Sequence, residues 1–356
     1  MKIYIRSASC ISPQQTFQGQ LFVNDPEKYT ANLLKVIEPD YKKIFDAKLL
    51  RRMSRIVRVG LAVATNCLKE AGKENIDAII TGTAYGCMED SETFLKKIIE
   101  QDEQMLSPTS FIQSTHNTVG AQIALFLKCH NYNNTFVHRG FSFEHALIDA
   151  MLLLKEKRAE NVLAGSADEM TDFTFSVLKR FGLYKQSAVS NLGLYHSDTK
   201  GSICGEGAAF FLLSGEFADD AYAQIDAVQT LYKYASSPEI KKWIEQFFTL
   251  HEITTNDIDL IITGKNGDTR HDHLFADIQN DIFKDNRVIN YKHLCGEYPT
   301  SSSFALWLAS NIIRWNKLPK CFADVEINKK DFRKVLIYNN YQGKHHTLVL
   351  LSSPSK

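Results

Sequence analysis

Residues 75–86 read NIDAIITGTAYG, and residues 257–268 read DIDLIITGKNGD. Each is an acidic lead, a short apolar strand and a Gly-bearing turn, and Asp77 matches Asp259 at an offset of 182. A second pair, Ala124–Leu127 against Ala305–Leu308, falls at an offset of 181. Later strands fit the same scheme, ENVLAGSA in the first half and RKVLIYNN in the second. Self-similarity at half of a 356-residue chain predicts a twofold duplicated α/β fold rather than a solenoid. The expected halves are 1–215 and 216–356, with the polar segment 215–256 as the seam and 13–60 as a surface excursion carrying a helix.

The runs AIIT, NVLAG, LIIT and VLIY are continuously apolar, as in sheets covered on both faces by helices. Between NNTF and ENVLAGSADE the stretch from Asn133 to Glu169 reads as strand, tight turn at Arg139-Gly140, long helix and strand. Phe143, Leu147, Ala150, Met151 and Leu154 share one face of that helix, and Leu152 and Leu153 broaden the stripe. A second helix runs through RRMSRIVRVGLAVATNCLKEAG and stops at Gly72. A turn that feeds a helix N-terminus is a usual seat for an activated nucleophile, yet the stretch 133–169 holds no cysteine.

The 41 basic residues balance 41 acidic ones, which argues against nucleic acid or a polybasic membrane contact as partner. No apolar run approaches the roughly 18 residues of a membrane span. The opening MKIYIRSASCISPQ alternates like a strand and lacks the apolar region of a signal peptide. Seven scattered cysteines without a CxxC fit a reducing compartment, so a cytoplasmic protein is expected.

In this order the segments resemble the β-ketoacyl synthases, condensing enzymes of the thiolase fold. The resemblance rests on SPTSFIQSTHNTVGAQIAL (107–125), VLAGSADE (162–169), GSICGEGAAFFLLS (201–214), YKHLCGEYPTSSSFAL (291–306) and YNNYQGKHHTLVLL (338–351), and it spans the chain. QSTHN and GTAYGCMEDSETFL look closest to ketosynthase-like proteins of bacterial aryl-polyene and flexirubin pigment clusters. The resemblance implies a five-layered αβαβα duplication, a Cys-His-His triad with a supporting lysine, and no cofactor.

Carried onto this chain, the nucleophile position is Gly140, the first histidine position is Gly264 or Lys265, and the second is Glu297. Lys292, the supporting lysine, is retained. Three changed positions on a preserved frame imply a homologue inactive by itself. The expectation is therefore a chain-length-factor-type subunit that pairs with an active ketosynthase and works with an acyl carrier protein. The alternatives are an active 3-oxoacyl synthase with an atypical site and an acyl-binding homodimer. Acyl-pocket or gating candidates are Phe141, Ser142, Phe143, Tyr341 and Gly343, where NNYQGKHH replaces the family's Gly-Phe-Gly-Gly loop.

Ser142 is read as a helix cap or as a substitute nucleophile with His138, His116 or His293 as base. The turns GTAYG and GKNGD lack the G-K-[ST] of a phosphate loop. RHDH (270–273) and KHH (344–346) match no zinc spacing and read as solvated loops. Cys87 and Cys295 read as small buried hydrophobes. Arg51, Arg52, Arg55, Lys155, Lys157 and Arg158 read as solvated charges or as contacts to an acidic carrier.

Overall fold

The computed structural model describes residues 1–18, 25–73, 75–106, 108–233, 236–322 and 331–356. The first half supplies β1 (Ile3–Ile11), the two-residue β2 (Thr30–Ala31), β3 (Ala78–Gly82), β4 (Tyr132–Phe136), β5 (Asn161–Asp168), the two-residue β6 (Val189–Ser190) and β7 (Gly207–Ser214). Its helices are α1 (Ala47–Leu50), α2 (Arg55–Glu70), α3 (Met88–Glu100), α4 (Pro108–Gln113), α5 (Thr118–Leu127), α6 (Ser142–Lys155) and α7 (Asp172–Arg180). The second half supplies β8 (Ala223–Tyr232), β9 (Leu260–Thr263), β10 (Val288–Asn290), β11 (Lys334–Tyr341) and β12 (His345–Ser352). Around them run α8 (Ser237–Leu250), α9 (Asp272–Asp281), α10 (Lys292–Cys295) and α11 (Ser302–Trp315).

The large sheet has the order β10-β9-β11-β12-β8-β1-β7-β5-β3-β4. Read from either end it is the same sequence of roles. β3 lies parallel to β4 and β5 as β9 does to β10 and β11, and the remaining pairs are antiparallel in both halves. The halves meet where β1 pairs with β8.

Side-chain alternation fixes the layers. Ala78 and Ile80 of β3, and Leu260 and Ile262 of β9, face a central layer built around α6 and α11. The intervening Ile79 faces α2, and Ile261 faces α8 and α9. Five layers result, αβαβα, as the duplication predicts.

The Asp77–Asp259 match is structural. Asp77 Oδ2 accepts from the amides of Glu160 and Asn161 at 2.8 and 2.9 Å. Asp259 Oδ2 accepts from those of Arg333 and Lys334, both at 2.9 Å. Each carboxylate thus clamps the start of the neighbouring strand. Replacing either aspartate by alanine is expected to cost about 1–3 kcal/mol, the usual worth of backbone donors left without a charged acceptor. Urea denaturation checks this, and losses below about 0.5 kcal/mol at both sites would remove the clamps from the account of the fold.

The second match, of Ala124–Leu127 with Ala305–Leu308, is not a structural equivalence. It pairs α5 of an outer layer with α11 of the central layer. Leu125 is 71% exposed, whereas Leu306 is 0% exposed. Segment 215–256 is no loose seam, since it contains β8 and α8. Within 13–60, Val36, Tyr41, Phe45 and Met53 are buried against α2, although residues 19–24 lie outside the described set. Leu152 departs from the buried stripe of α6 and is exposed, while Leu153 is buried. Among the described residues no helix is long and apolar enough to cross a membrane.

Candidate functional site

The turn before α6 is a 3-10 turn, Arg139–Phe141. Arg139 adopts φ +48°, an uncommon left-handed conformation for a side-chain-bearing residue. Ser142 Oγ holds the turn, donating to the Arg139 carbonyl at 2.9 Å and accepting from the His138 amide at 2.8 Å. Its hydroxyl is therefore committed to backbone. It neither caps the first-turn amides of α6 nor meets a basic imidazole, because His138 contributes only its amide. His293 turns its ring to Tyr195, with Nδ1 3.0 Å from the hydroxyl, and His116 is exposed.

Gly140 is buried with no room for a side chain. A Cβ there would lie 2.8 Å from Tyr341 Cδ1 and 2.9 Å from His345 Cγ. Phe141 stacks edge-on against His345 at 4.8 Å. Phe143 points away, into the central layer against Phe211. Tyr341 is buried within the β11–β12 hairpin, and the turn beyond it places Gln342 at φ +53° and Gly343 at φ +72°. A ladder-bound tyrosine with a tight turn replaces the expected gating loop. The solvated-loop reading of KHH does not hold, because His345 and His346 are buried in β12. Burial pushes both imidazoles down to about 4.

From the second half come α10 and the strand end that follows. The backbone of Ile203–Gly205 pairs with Glu297, whose amide donates to Ile203 O at 2.7 Å. Close approach requires the flanking glycines. A Cβ on Gly205 would sit 2.0 Å from Cys295 O, and Gly296 takes φ +72°. This clasp delivers Glu297 to Lys292, Nζ to Oε1 at 2.6 Å, with both side chains buried. Ser301 also receives a bond from the ammonium. The other Glu297 oxygen accepts from Asn266 Nδ2 at 2.7 Å. At Gly264 a side chain is again excluded, since a Cβ would lie 2.1 Å from Asn339 Oδ1. The Lys265 ammonium stands 6.0 Å over the Tyr195 ring.

Asn266, Glu297 and Tyr341 share a cleft of about 310 Å³ with Tyr184, Arg270 and His271. The structure thus gathers Gly140, Tyr341, Glu297 and Lys292 around one region and places Phe141, Ser142 and Phe143 outside the lining of that cleft. Sequence reasoning missed Glu144, in the first turn of α6. It is fully buried; Oε1 accepts from Thr347 Oγ1 at 3.1 Å, and Oε2 meets no donor. Burial pushes its carboxyl up to about 7, with the Thr347 hydroxyl and Lys292 pulling the other way. The sequence signal was an acid inside an apolar helix stripe.

The Gly-bearing turns bind carboxylates of the chain itself. Asp168 Oδ1 accepts from the amides of Ala84 and Tyr85 at 2.8 and 3.0 Å. Asp272 accepts from those of Asn266 and Gly267 at 3.2 and 3.0 Å. Arg55 is not a solvated charge, because it forks onto buried Glu206 and also meets Glu38. Among the described residues no three His, Cys, Asp or Glu side chains converge as a metal set.

Residues 36–203 match the family model of the β-ketoacyl synthase N-terminal domain. Solved structures with this architecture include the ishigamide ketosynthase/chain length factor, with TM-score 0.82, 17% identity and 99% of each chain covered. AntDE:AntF, a type II PKS acyl carrier protein in complex with its ketosynthase, gives 0.74 at 14% identity, again over 99% of each chain. The ketosynthase ApeO in complex with its chain length factor ApeC, from Xenorhabdus doucetiae, gives 0.78 at 15% identity, covering 99% of this chain and 98% of that one. A search of curated proteins returned no match. The molecule is a thiolase-like protein with the ketosynthase fold. Over residues 36–203 it is similar to the β-ketoacyl synthase N-terminal domain.

Proposed function

We propose that this chain is a non-catalytic, chain-length-factor-type subunit that pairs with an active ketosynthase in acyl-carrier-protein-dependent polyene or polyketide assembly. One observation carries the reading. The turn where a condensing enzyme needs a thiolate holds Gly140 jammed against Tyr341 and His345, and the retained Lys292 is neutralised by Glu297. Thioester formation requires a nucleophile, and enolate stabilisation requires free donors. Ser142 is occupied, and Cys295 is a fully buried thiol that burial pushes far up.

The surface supports pairing. Among the described residues β4 ends the sheet and leaves one edge without a neighbouring strand. Around it Leu125, Phe126, Tyr132, Val137 and Leu152 are exposed, a concentration of apolar side chains that a partner subunit would cover. Two of the similar structures are described as ketosynthase with chain length factor. Pairing through this edge also stabilises the partner by mass action.

The test is intact mass after incubation with an acyl carrier thioester, alone and with a co-expressed ketosynthase. The expected result is no adduct on this chain and an adduct on the co-purifying ketosynthase. Leu125→Glu with Val137→Glu should abolish co-purification while leaving the melting temperature of the isolated chain unchanged. A stable acyl adduct on this chain would overturn the reading in favour of an atypical active synthase. A homodimer carrying a bound acyl chain, with no ketosynthase captured, would overturn it in favour of acyl sequestration.

A further inference from the structure

α3 and α7 bury none of their residues, and a groove of about 1180 Å³ lies between them. The Thr171 and Thr174 hydroxyls at the start of α7 donate to Glu92 Oε1 of α3 and tie the two helices together. The groove shares no lining residue with the cleft that holds Glu297. Val36, Glu169 and Met170 are its buried residues, while Leu95 and Ile99 of α3 and Phe173 of α7 line it as exposed side chains. Glu92, Leu95 and Ile99 follow one another at i, i+3 and i+7, so they form one stripe of α3. That stripe passes from a carboxylate to apolar side chains over about 10 Å, at 1.5 Å of rise per residue.

We infer that this groove binds an amphipathic cation, a primary amine on an apolar chain, with its ammonium at Glu169 and its chain along Leu95, Ile99 and Phe173. The charges of the lining decide the sign. Lys35 donates to the Met170 carbonyl and faces Asp172, Arg55 is committed to Glu206 and Glu38, and Lys96 faces Glu100. The groove's cations are therefore spent. Among the described residues Glu89, Glu92 and Glu169 form no ion pair. Acids near a helix start serve the helix dipole, and that accounts for Glu89 and Glu92. Glu169 belongs to the end of β5 and is 2% exposed. Its Oε1 accepts from the Glu89 amide at 3.0 Å and so caps α3. Its Oε2 takes no hydrogen bond from a described residue, and the side chain lines the groove. Glutamine would cap α3 equally well, so the cap does not call for a charge. A buried carboxylate oxygen without a donor is unfavourable, and an ammonium supplies a charge-assisted bond there. An anionic ligand would meet three unpaired acids instead. Apolar walls with a few placed polar groups are the usual make-up of a small-ligand site.

Calorimetric titration of the full-length protein with decylamine at about pH 8, where the ammonium and the carboxylate both carry charge, tests the site. The expected result is one saturable equivalent, with decanoate binding roughly tenfold or more weakly because like charges are brought together. Glu169→Gln should weaken decylamine roughly 10–100-fold, the loss of a hydrogen bond between charged groups. Leu95→Ser with Ile99→Ser should also weaken it. Both side chains are already exposed, so the melting temperature of the free protein should not fall. Equal affinity for decylamine and decanoate, uptake that does not saturate, or an unchanged affinity in Glu169→Gln or in the serine pair would overturn the inference. If Glu169→Gln misfolds, Ile99→Lys at its exposed position answers the same question. It should weaken decylamine and strengthen decanoate, and no change in either affinity would overturn the inference.

Discussion

Replacing Glu297 by alanine is expected to destabilise the fold by about 3–5 kcal/mol, the cost of stranding a buried charge whose partner has been removed. The stranded charge is Lys292. Its ammonium lies 2.6 Å from Glu297 Oε1, with side-chain exposures of 1% and 5%. Asn266 loses its acceptor in the same step. Ser301 remains as a neutral partner and does not replace a carboxylate. Glu297→Gln should cost less, because it keeps one acceptor. A double variant, Glu297→Leu with Lys292→Met, should recover much of the loss, since well-packed apolar pairs often equal buried ion pairs. Chemical denaturation of the four proteins reads the coupling directly. A Glu297→Ala loss under about 1 kcal/mol, or no recovery in the double variant, would show that Lys292 finds water or another anion. On the proposed reading, in which Glu297 stands at the second histidine position, Glu297→His leaves Lys292 without its carboxylate, so it should lower stability without producing condensation.

The duplication was legible because its marker residue has a physical task. Asp77 and Asp259 each hold two backbone amides, so both halves kept the acid at the same strand start. The false second match arose because apolar helix segments look alike whether they lie in an outer or a central layer. Sequence period reports that a face is buried and not which layer buries it. The turn at Arg139-Gly140 was readable from the strand–turn–helix pattern. That Gly140 is closed off by Tyr341 and His345 was not, because those residues lie some 200 positions later in a hairpin. KHH read as a loop because histidine and lysine are polar on average. Both histidines lie in β12, where Tyr338 of β11 meets His346 at 3.1 Å and Phe141 covers His345, which makes both rings interior. Arg55 misled in the same way, since its partner Glu206 comes from a distant strand lead.

The stability of a Glu144→Gln variant relative to the natural chain is expected to grow by roughly 3 kcal/mol between pH 4.5 and pH 7, from the rise of the carboxyl from 4.5 to about 7. The sign follows from proton counts. Between the unfolded value of 4.5 and the folded value of about 7, the folded chain holds a proton on Glu144 that the unfolded chain has released. Stability therefore falls as pH rises through this window and is flat on either side. Glutamine stays neutral throughout, keeps an acceptor for Thr347 and carries no such slope. The absolute profile of either protein would not isolate the effect. Burial holds His293, His345 and His346 down near 4, so they add stability as pH rises over part of the same range. Glu169, also pushed up to about 7, acts in the direction of Glu144. These groups are common to both proteins and cancel in the difference. Denaturant midpoints of the pair at intervals from pH 4 to 8 give the result. A flat difference would mean that Glu144 Oε2 is solvated or neutralised by a neighbour. A rising difference would mean that a protonated acid sits one turn behind Gly140. In that case the interior face of the turn before α6 is built to hold a neutral group rather than to stabilise a charge.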